Sequence, residues 1–326
     1  MNILVTGGAG YIGSHTVREL LKRGHRVVIL DNLSAGHRTA IPNNVEFFNG
    51  DIDNHYLVRY ILAQGIDAVM HFAASSLVGE SMVNPGKYFR NNVAGTLNVL
   101  EAMVETGVKK IVFSSSAAVY GEPVLCPILE DNARAPTNVY GLSKLMIEQM
   151  LEAFDRSHEL KYVSLRYFNA AGADSSGEIG EDHNPETHLV PIVLQAAANQ
   201  RDRVTIYGND YPTPDGTCVR DYVHVTDLAR AHVLALEFLE AEKRSETYNL
   251  GNGQGFSVKE VINVAYKITG LPFIMDIAGR RSGDPAVLVA SADKIKKALG
   301  WQPEYTDLEA IIRSAWNWHR QKRIKK

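Results

Sequence analysis

Short apolar runs alternate with longer amphipathic stretches along the first half of the chain. The runs occupy residues 3–5, 27–30, 45–48, 68–72, 110–114 and 162–167. Between them, apolar positions recur at helical spacing over residues 11–23, 91–105 and 140–157. Strand–helix alternation predicts an α/β fold with a doubly wound parallel sheet. The near-continuous apolar character of the strands fits a sheet buried on both faces.

Past residue 169 the character changes. Residues 171–185 are rich in Gly, Asp and Ser and read as loop, and turn clusters recur at 208–217, 249–255 and 279–285. The division predicted is a first domain over 1–170 and a smaller mixed α/β lobe over 171–326, closing over the first. A helical pattern at 226–239 suits packing back on the first domain, so part of 218–252 is expected there. The basic tail, 320–326, reads as a solvated end.

Charge narrows the field. The 34 Lys and Arg nearly balance 37 Asp and Glu, leaving −3, so no general attraction to nucleic acid or anionic membrane is expected. Any anion site must be local. Cys126 and Cys218 lie far apart and outside any CxxC pair, which supports neither a disulfide framework nor a zinc site; no metal is expected. The start of the chain lacks the pattern of a secretory leader, and no stretch approaches a membrane span, so a cytoplasmic location is the expectation.

Gly7, Gly10 and Gly13 give a G-x-x-G-x-x-G spacing between the first strand and the first helix. Glycines there let the turn tighten and the backbone approach a pyrophosphate, while the helix N-terminus offers free N–H groups. Alone, the motif is also what a tight strand–helix turn needs. Asp31 ends the second strand, where a carboxylate can bind both adenosine ribose hydroxyls and repel a 2′-phosphate, favouring NAD over NADP. Asp51, ending the third strand, is placed to meet the adenine. Singly, Asp31 and Asp51 suit helix N-caps equally well; with the glycines they predict a Rossmann-type NAD site.

Of fourteen tyrosines, Tyr140 alone has a lysine four positions on, Lys144, on one helix face. Such a pair is as often an exposed aromatic–cation contact. Ser114-Ser115-Ser116, however, ends an apolar strand, and strand C-termini face the ligand crevice in open parallel sheets. A phenol is a poor base at neutral pH, but a lysine ammonium and a cationic nicotinamide ring both favour phenolate. Tyr140 could then remove a hydroxyl proton while hydride leaves the same carbon, with Ser116 bonded to the same oxygen and Lys144 on the nicotinamide ribose.

These segments resemble the extended short-chain dehydrogenase/reductases, and among them the members that invert C4 of UDP-sugars. The resemblance runs nearly end to end. It rests on residues 7–15, 31–34, 71–74, 78–81, 114–121, 140–144, 165–169, 219–225 and 248–251. It implies an NAD-dependent, reversible C4 epimerisation of UDP-galactose and UDP-glucose: Tyr140 takes the 4-hydroxyl proton, hydride passes to bound NAD, and the 4-keto sugar turns and receives it on its other face. It implies cofactor contacts from Gly7, Gly10, Tyr11, Ile12, Gly13, Asp31, Asn32, Ser34, Asp51, Ile52, Phe72, Ala73, Ala74, Asn91, Ser114, Tyr140, Lys144 and Tyr167. For the UDP-sugar it implies Ser116, Tyr140, Asn169, Leu189 through its backbone, Tyr207 stacked on uracil, Arg220 and Arg281 on phosphate, Asp284 on ribose, and Leu288 beside the sugar. It also implies a homodimer joined by a four-helix bundle from the helices near 91–105 and 140–157.

Two local features refine this. Relatives that eliminate water after the same oxidation carry acidic residues just past the serine strand, whereas this chain reads Ser116-Ala117-Ala118-Val119-Tyr120. Without an acid there, return of hydride is the easier fate. Leu288 stands where members rejecting N-acetylated sugars carry tyrosine, so UDP-GalNAc and UDP-GlcNAc are candidate substrates; a strand-core role for Leu288 is equally open. Ser76 replaces a lysine that some members place near the cofactor. The alternatives are a C4 epimerase of another UDP-sugar, a uronate or pentose, and a non-catalytic NAD or nucleotide-sugar binder, which often loses the Tyr or Lys.

Overall fold

The computed structural model describes residues 1–281 and 284–324. Ser282 and Gly283 of the expected 279–285 turn, and the last two residues of the basic tail, lie outside the described residues.

The strands are β1 (Asn2–Thr6), β2 (Arg26–Asp31), β3 (Glu46–Asn49), β4 (Ala68–His71), β5 (Lys110–Ser114), β6 (Lys161–Tyr167), β7 (Asn169–Ala171), β8 (Arg203–Tyr207), β9 (Val219–His224), β10 (Glu246–Leu250), β11 (Gly255–Ser257), β12 (Ile274–Ala278) and β13 (Val287–Leu288). The helices are α1 (Tyr11–Lys22), α2 (His55–Leu62), α3 (Val78–Val83), α4 (Pro85–Tyr88), α5 (Gly95–Thr106), α6 (Val139–His158), α7 (Leu189–Ala197), α8 (Val225–Glu242), α9 (Val258–Thr269), α10 (Asp293–Leu299) and α11 (Leu308–Ile324).

A seven-stranded sheet in the order β10-β6-β5-β4-β1-β2-β3 forms the centre, and every pairing in it is parallel. Alternation along its strands supplies two cores. Ile3, Val5, Val27, Ile29, Val163 and Leu165 face α1 and α8 through Leu20, Leu228 and Leu236. Leu4, Val28, Leu30, Val69, Ile111 and Phe113 face α2, α5 and α6 through Ile61, Leu100 and Leu151. Truncating a fully buried side chain such as Leu4 to alanine costs about 2–5 kcal/mol. The strand order reverses between β1 and β4, and the crevice at their C-terminal ends is the ligand position of open α/β sheets.

The chain does not stay in one lobe. After β6 it builds part of the second lobe, then returns to the central sheet as α8 and β10. It leaves again and returns once more with α10 and Trp301, which pack into the α1–α8 core, before ending in α11. The second lobe holds the β7–β9–β11 sheet with β13 attached to β9, and the parallel pair β8–β12. Its core gathers Val193 and Leu194 of α7, Val261 and Ile262 of α9, and Ile311 and Ile312 of α11.

One predicted helix differs in form. The pattern at 91–105 opens as a π-helical turn, Phe89–Ala94, and becomes α-helical only at Gly95. The wider turn holds fully buried Asn92, whose amide donates to the Ser75 carbonyl and the Ser143 hydroxyl while its oxygen accepts the Ser75 N–H. A buried asparagine so satisfied leaves no trace in an apolar periodicity. No described helix is long and apolar enough to cross a membrane.

Candidate active site

The glycine turn is built for close approach. Gly7 has φ +73°, and a Cβ on it would lie 2.6 Å from the Ala73 nitrogen; a Cβ on Gly13 would lie 2.2 Å from the Gly7 carbonyl oxygen. Gly10 is roomier, meeting only that oxygen at 3.3 Å. Gly10 caps α1 without a side-chain bond, so the amides of the first turn face the crevice uncapped. This cradle, which a side chain would fill, fits a dinucleotide pyrophosphate. Its far wall is Phe72-Ala73-Ala74, immediately after β4.

Asp31 is buried at the end of β2, with its oxygens accepting the Ala9 N–H at 2.9 Å and the Leu33 N–H at 2.8 Å. Burial raises its carboxyl above the usual value against those two bonds. Asn32 donates to Asp51 at 2.8 Å and accepts the Ser34 N–H, joining three expected cofactor contacts at one rim. The Ile52 side chain is turned into the core against Gly95, so only its backbone remains for a ligand. Ile12 likewise packs on the α1–α8 core. Asn91 donates to Asn92. The Tyr11 hydroxyl donates to the Gly172 carbonyl at 2.6 Å, across to the second lobe.

The Ser/Tyr/Lys set converges as its spacing implied. Asn138 caps α6 by accepting the Gly141 N–H, fixing where Tyr140 and Lys144 fall on the helix. The Tyr140 phenol lies near the Ser116 hydroxyl, and the Tyr140 N–H donates to the Ser81 hydroxyl at 3.1 Å. Lys144 is buried, and its Nζ donates to the Ser114 carbonyl at 2.7 Å, 4.9 Å from the centre of the Phe113 ring. Ser114 and Tyr167 share a short hydrogen bond beside it.

Burial dominates the electrostatics of this set. Tyr140 is raised above its ordinary value by burial, opposed by the nearby Ser116 hydroxyl. Lys144 is itself pushed down by burial to about 7, with Glu148 favouring its charged form. Removal from water costs the Lys144 ammonium more than the neighbouring groups return.

Second-lobe residues sit in two groups. Arg220 donates to the Val219 and Pro285 carbonyls at 2.9 Å, with Asp284 3.7 Å away. Arg281 is exposed and lies 3.9 Å over the Tyr207 ring. The guanidinium therefore covers one face of Tyr207, and uracil stacking requires the opposite face or a swing of Arg281. Asn169 pairs with Tyr222 in the β7–β9 register, and Leu189 opens α7, where first-turn amides are free. Leu288 is a strand residue: half-buried, it packs on the cluster of Val119, Tyr120, Ile128 and Leu145, as Phe168 does.

Two clusters escaped the sequence reading. Glu148, four residues past Lys144, is ion-paired with Arg166 and accepts the Ser115 hydroxyl at 2.6 Å. Its helical spacing from Lys144 was the available signal. The other cluster, Glu181, His183, Glu186 and His188, places its polar atoms within 4.8 Å of one another. Its alternating Glu and His fall in and just after a stretch read as loop.

Comparison with known proteins agrees with this arrangement. Residues 3–251 match the model of the NAD dependent epimerase/dehydratase family. The UDP-glucose 4-epimerase of Halalkalibacterium halodurans is 57% identical over 98% of this chain and 96% of its own. That of Lacticaseibacillus casei is 54% identical over 98% and 97%. The crystal structure of UDP-glucose 4-epimerase from Brucella ovis in complex with NAD superimposes with a TM-score of 0.94, at 47% identity and 97% coverage of both chains. The chain thus belongs to the NAD dependent epimerase/dehydratase family.

Proposed function

We propose that this enzyme interconverts UDP-galactose and UDP-glucose by inverting C4 with bound NAD. The observation that carries the reading is the joining of Ser116, Tyr140 and Lys144 at the C-terminal end of β5, beside the glycine cradle at β1 and β4. Relatives at 54–57% identity bear the same activity in their names.

Gly7, Gly10 and Gly13 hold the pyrophosphate, Asp31 the adenosine ribose, and Lys144 the nicotinamide ribose through the N–H donors not used on Ser114. Bound NAD supplies the acceptor and donor of hydride at the sugar C4. Tyr140 takes the 4-hydroxyl proton and later returns a proton to the same oxygen, with Ser116 holding that oxygen in line. The run Ser116–Tyr120 carries no carboxylate, and nearby Glu148 is engaged by Arg166 and Ser115. Among the described residues just past β5 no free carboxylate is offered, which favours reversal at C4 over elimination.

Arg220 and Arg281 bind the diphosphate, where guanidinium forks suit phosphate oxygens. Asp284 binds the uridine ribose, and Asn169 and the Leu189 amide flank the diphosphate. Tyr207 takes the uracil. Leu288, smaller than tyrosine, leaves room at the sugar 2-position for an N-acetyl group, extending the range to UDP-GalNAc and UDP-GlcNAc. A homodimer through α5 and α6 is supported by exposed Leu97, Val104 and Leu142 on those helices. Reaction in the cytoplasm is supported by two free cysteines.

The test is UDP-galactose incubated with purified enzyme and no added NAD, followed by proton NMR of the anomeric region. Appearance of UDP-glucose supports C4 inversion with retained cofactor. Silence with and without added NAD excludes this substrate pair.

A further inference from the structure

We propose that Glu181, His183, Glu186 and His188 form a structural site for one divalent zinc-class metal ion, outside the catalytic groups. Four features carry this.

The first is geometry. Nδ1 of each histidine and one oxygen of each glutamate gather within 4.8 Å. His183 Nδ1 lies 3.2 Å from Glu181 Oε1 and 3.8 Å from Glu186 Oε2; His188 Nδ1 lies 2.8 Å from Glu181 Oε1 and 3.2 Å from Glu186 Oε1. A tetrahedral ion with bonds of about 2.0–2.1 Å sets its ligand atoms about 3.3 Å apart. The observed separations bracket that edge length, so an ion at the centre needs only small rotamer adjustments.

The second is an unmet bond. His183 Nδ1 is buried and makes no hydrogen bond of acceptable geometry, although it faces both carboxylates. A metal ion gives that lone pair a partner.

The third is orientation. Glu186 Oε1 accepts the Thr187 N–H at 2.7 Å and the His188 N–H at 2.8 Å. Those bonds fix the carboxylate plane as outer contacts fix metal ligands elsewhere. The fourth is charge. Both carboxylates are only 7% exposed, and one divalent ion balances their two charges in place.

Two imidazoles with two carboxylates suit zinc or cobalt more than the all-oxygen preference of magnesium or calcium. Four protein ligands leave no open position, which assigns the ion a structural role. Its position says what it would hold. The Tyr11 ring packs edge-on against His183, with centroids 6.2 Å apart at 88°, and α7 begins at Leu189, next to His188. The ion would clamp the loop between the glycine turn and the start of α7.

The test uses untagged full-length enzyme, stripped with chelator and titrated with Co2+, and with Zn2+ against a chromophoric chelator. One equivalent per chain, with the intense visible bands of tetrahedral cobalt, is expected. Glu186→Gln and His183→Asn should each weaken uptake by roughly tenfold or more. Zinc should raise the thermal midpoint of the parent enzyme and not that of the variants. No uptake by the parent, weak octahedral cobalt bands, or uptake unchanged in both variants overturns the proposal. The parent titration decides the first two even if one variant fails to fold; the variants are checked by circular dichroism before the third is read.

Discussion

Glu148 and Arg166 meet in a two-point ion pair under the end of β5, with Nε–Oε1 at 2.9 Å and Nη2–Oε2 at 2.7 Å, each side chain 3% exposed or less. Ser115 donates to the same carboxylate, and Tyr120 accepts from the same guanidinium at 2.8 Å. Glu148→Gln strands a buried cation, which should cost about 3–5 kcal/mol. Urea unfolding measures it, and a loss below about 1 kcal/mol would contradict a closed pair.

Tyr140→Phe removes the proton acceptor and leaves the cradle intact. Turnover should fall by about 10²–10⁴-fold, while NAD released by denaturation remains near the parent amount. Ser116→Ala should cost less, because Tyr140 survives. Full turnover in Tyr140→Phe would refute its assignment as base.

Acid should destabilise the fold in a definite window. Burial lowers His15 and His232 to about 4, and His71 and His224 to about 3, from an ordinary 6.5. In the unfolded chain they take protons near pH 6.5; in the folded one they do not. Stability is therefore fully present above about pH 6.5 and is lost as pH falls toward 4, each histidine giving up to about 1.4 kcal/mol per pH unit. Urea midpoints that stay flat from pH 6.5 to 4.5 would be inconsistent with neutral buried imidazoles.

Gly13→Ala drives a methyl against the Gly7 carbonyl oxygen, 2.2 Å from the ideal Cβ position. Both atoms belong to the backbone turn, so neither can rotate away. The variant should purify with much less NAD per chain than the parent, read by absorbance after acid release. Undiminished NAD would mean that the turn yields easily.

Leu288→Tyr should narrow the wall formed with Val119, Tyr120 and Phe168. Conversion of UDP-GalNAc should drop far more than that of UDP-galactose. If the parent fails to turn over UDP-GalNAc even at high enzyme concentration, the wider specificity is wrong.

The sequence was most informative where chemistry is packed into a few consecutive residues. Gly7 to Gly13 and Tyr140 to Lys144 each lie within about two helical turns, so spacing alone assembles them. The Arg166–Glu148 pair joins a strand to a helix, and neither residue stands out in its own segment. Asn92 was hidden because its burial depends on a π-turn and on partners in two separate segments, at Ser75 and Ser143. At Tyr140, spacing reveals the neighbouring cation of Lys144 but not the burial around both groups. Leu288 was left between two roles, and the structure shows it as a half-buried strand residue on a small apolar cluster.

The repeated passage of the chain between lobes has a mechanical consequence. A hinge works when a few linker residues absorb the whole rotation. Here β6 leads out, α8 and β10 lead back, and α10 returns again before α11, so several connections would have to bend in concert. The Tyr11–Gly172 bond adds a further tie. Widening the crevice would therefore strain several connections at once. A ketone intermediate that reversed its facing there would do so by its own rotation, and the width set during folding would govern which sugars have room to turn.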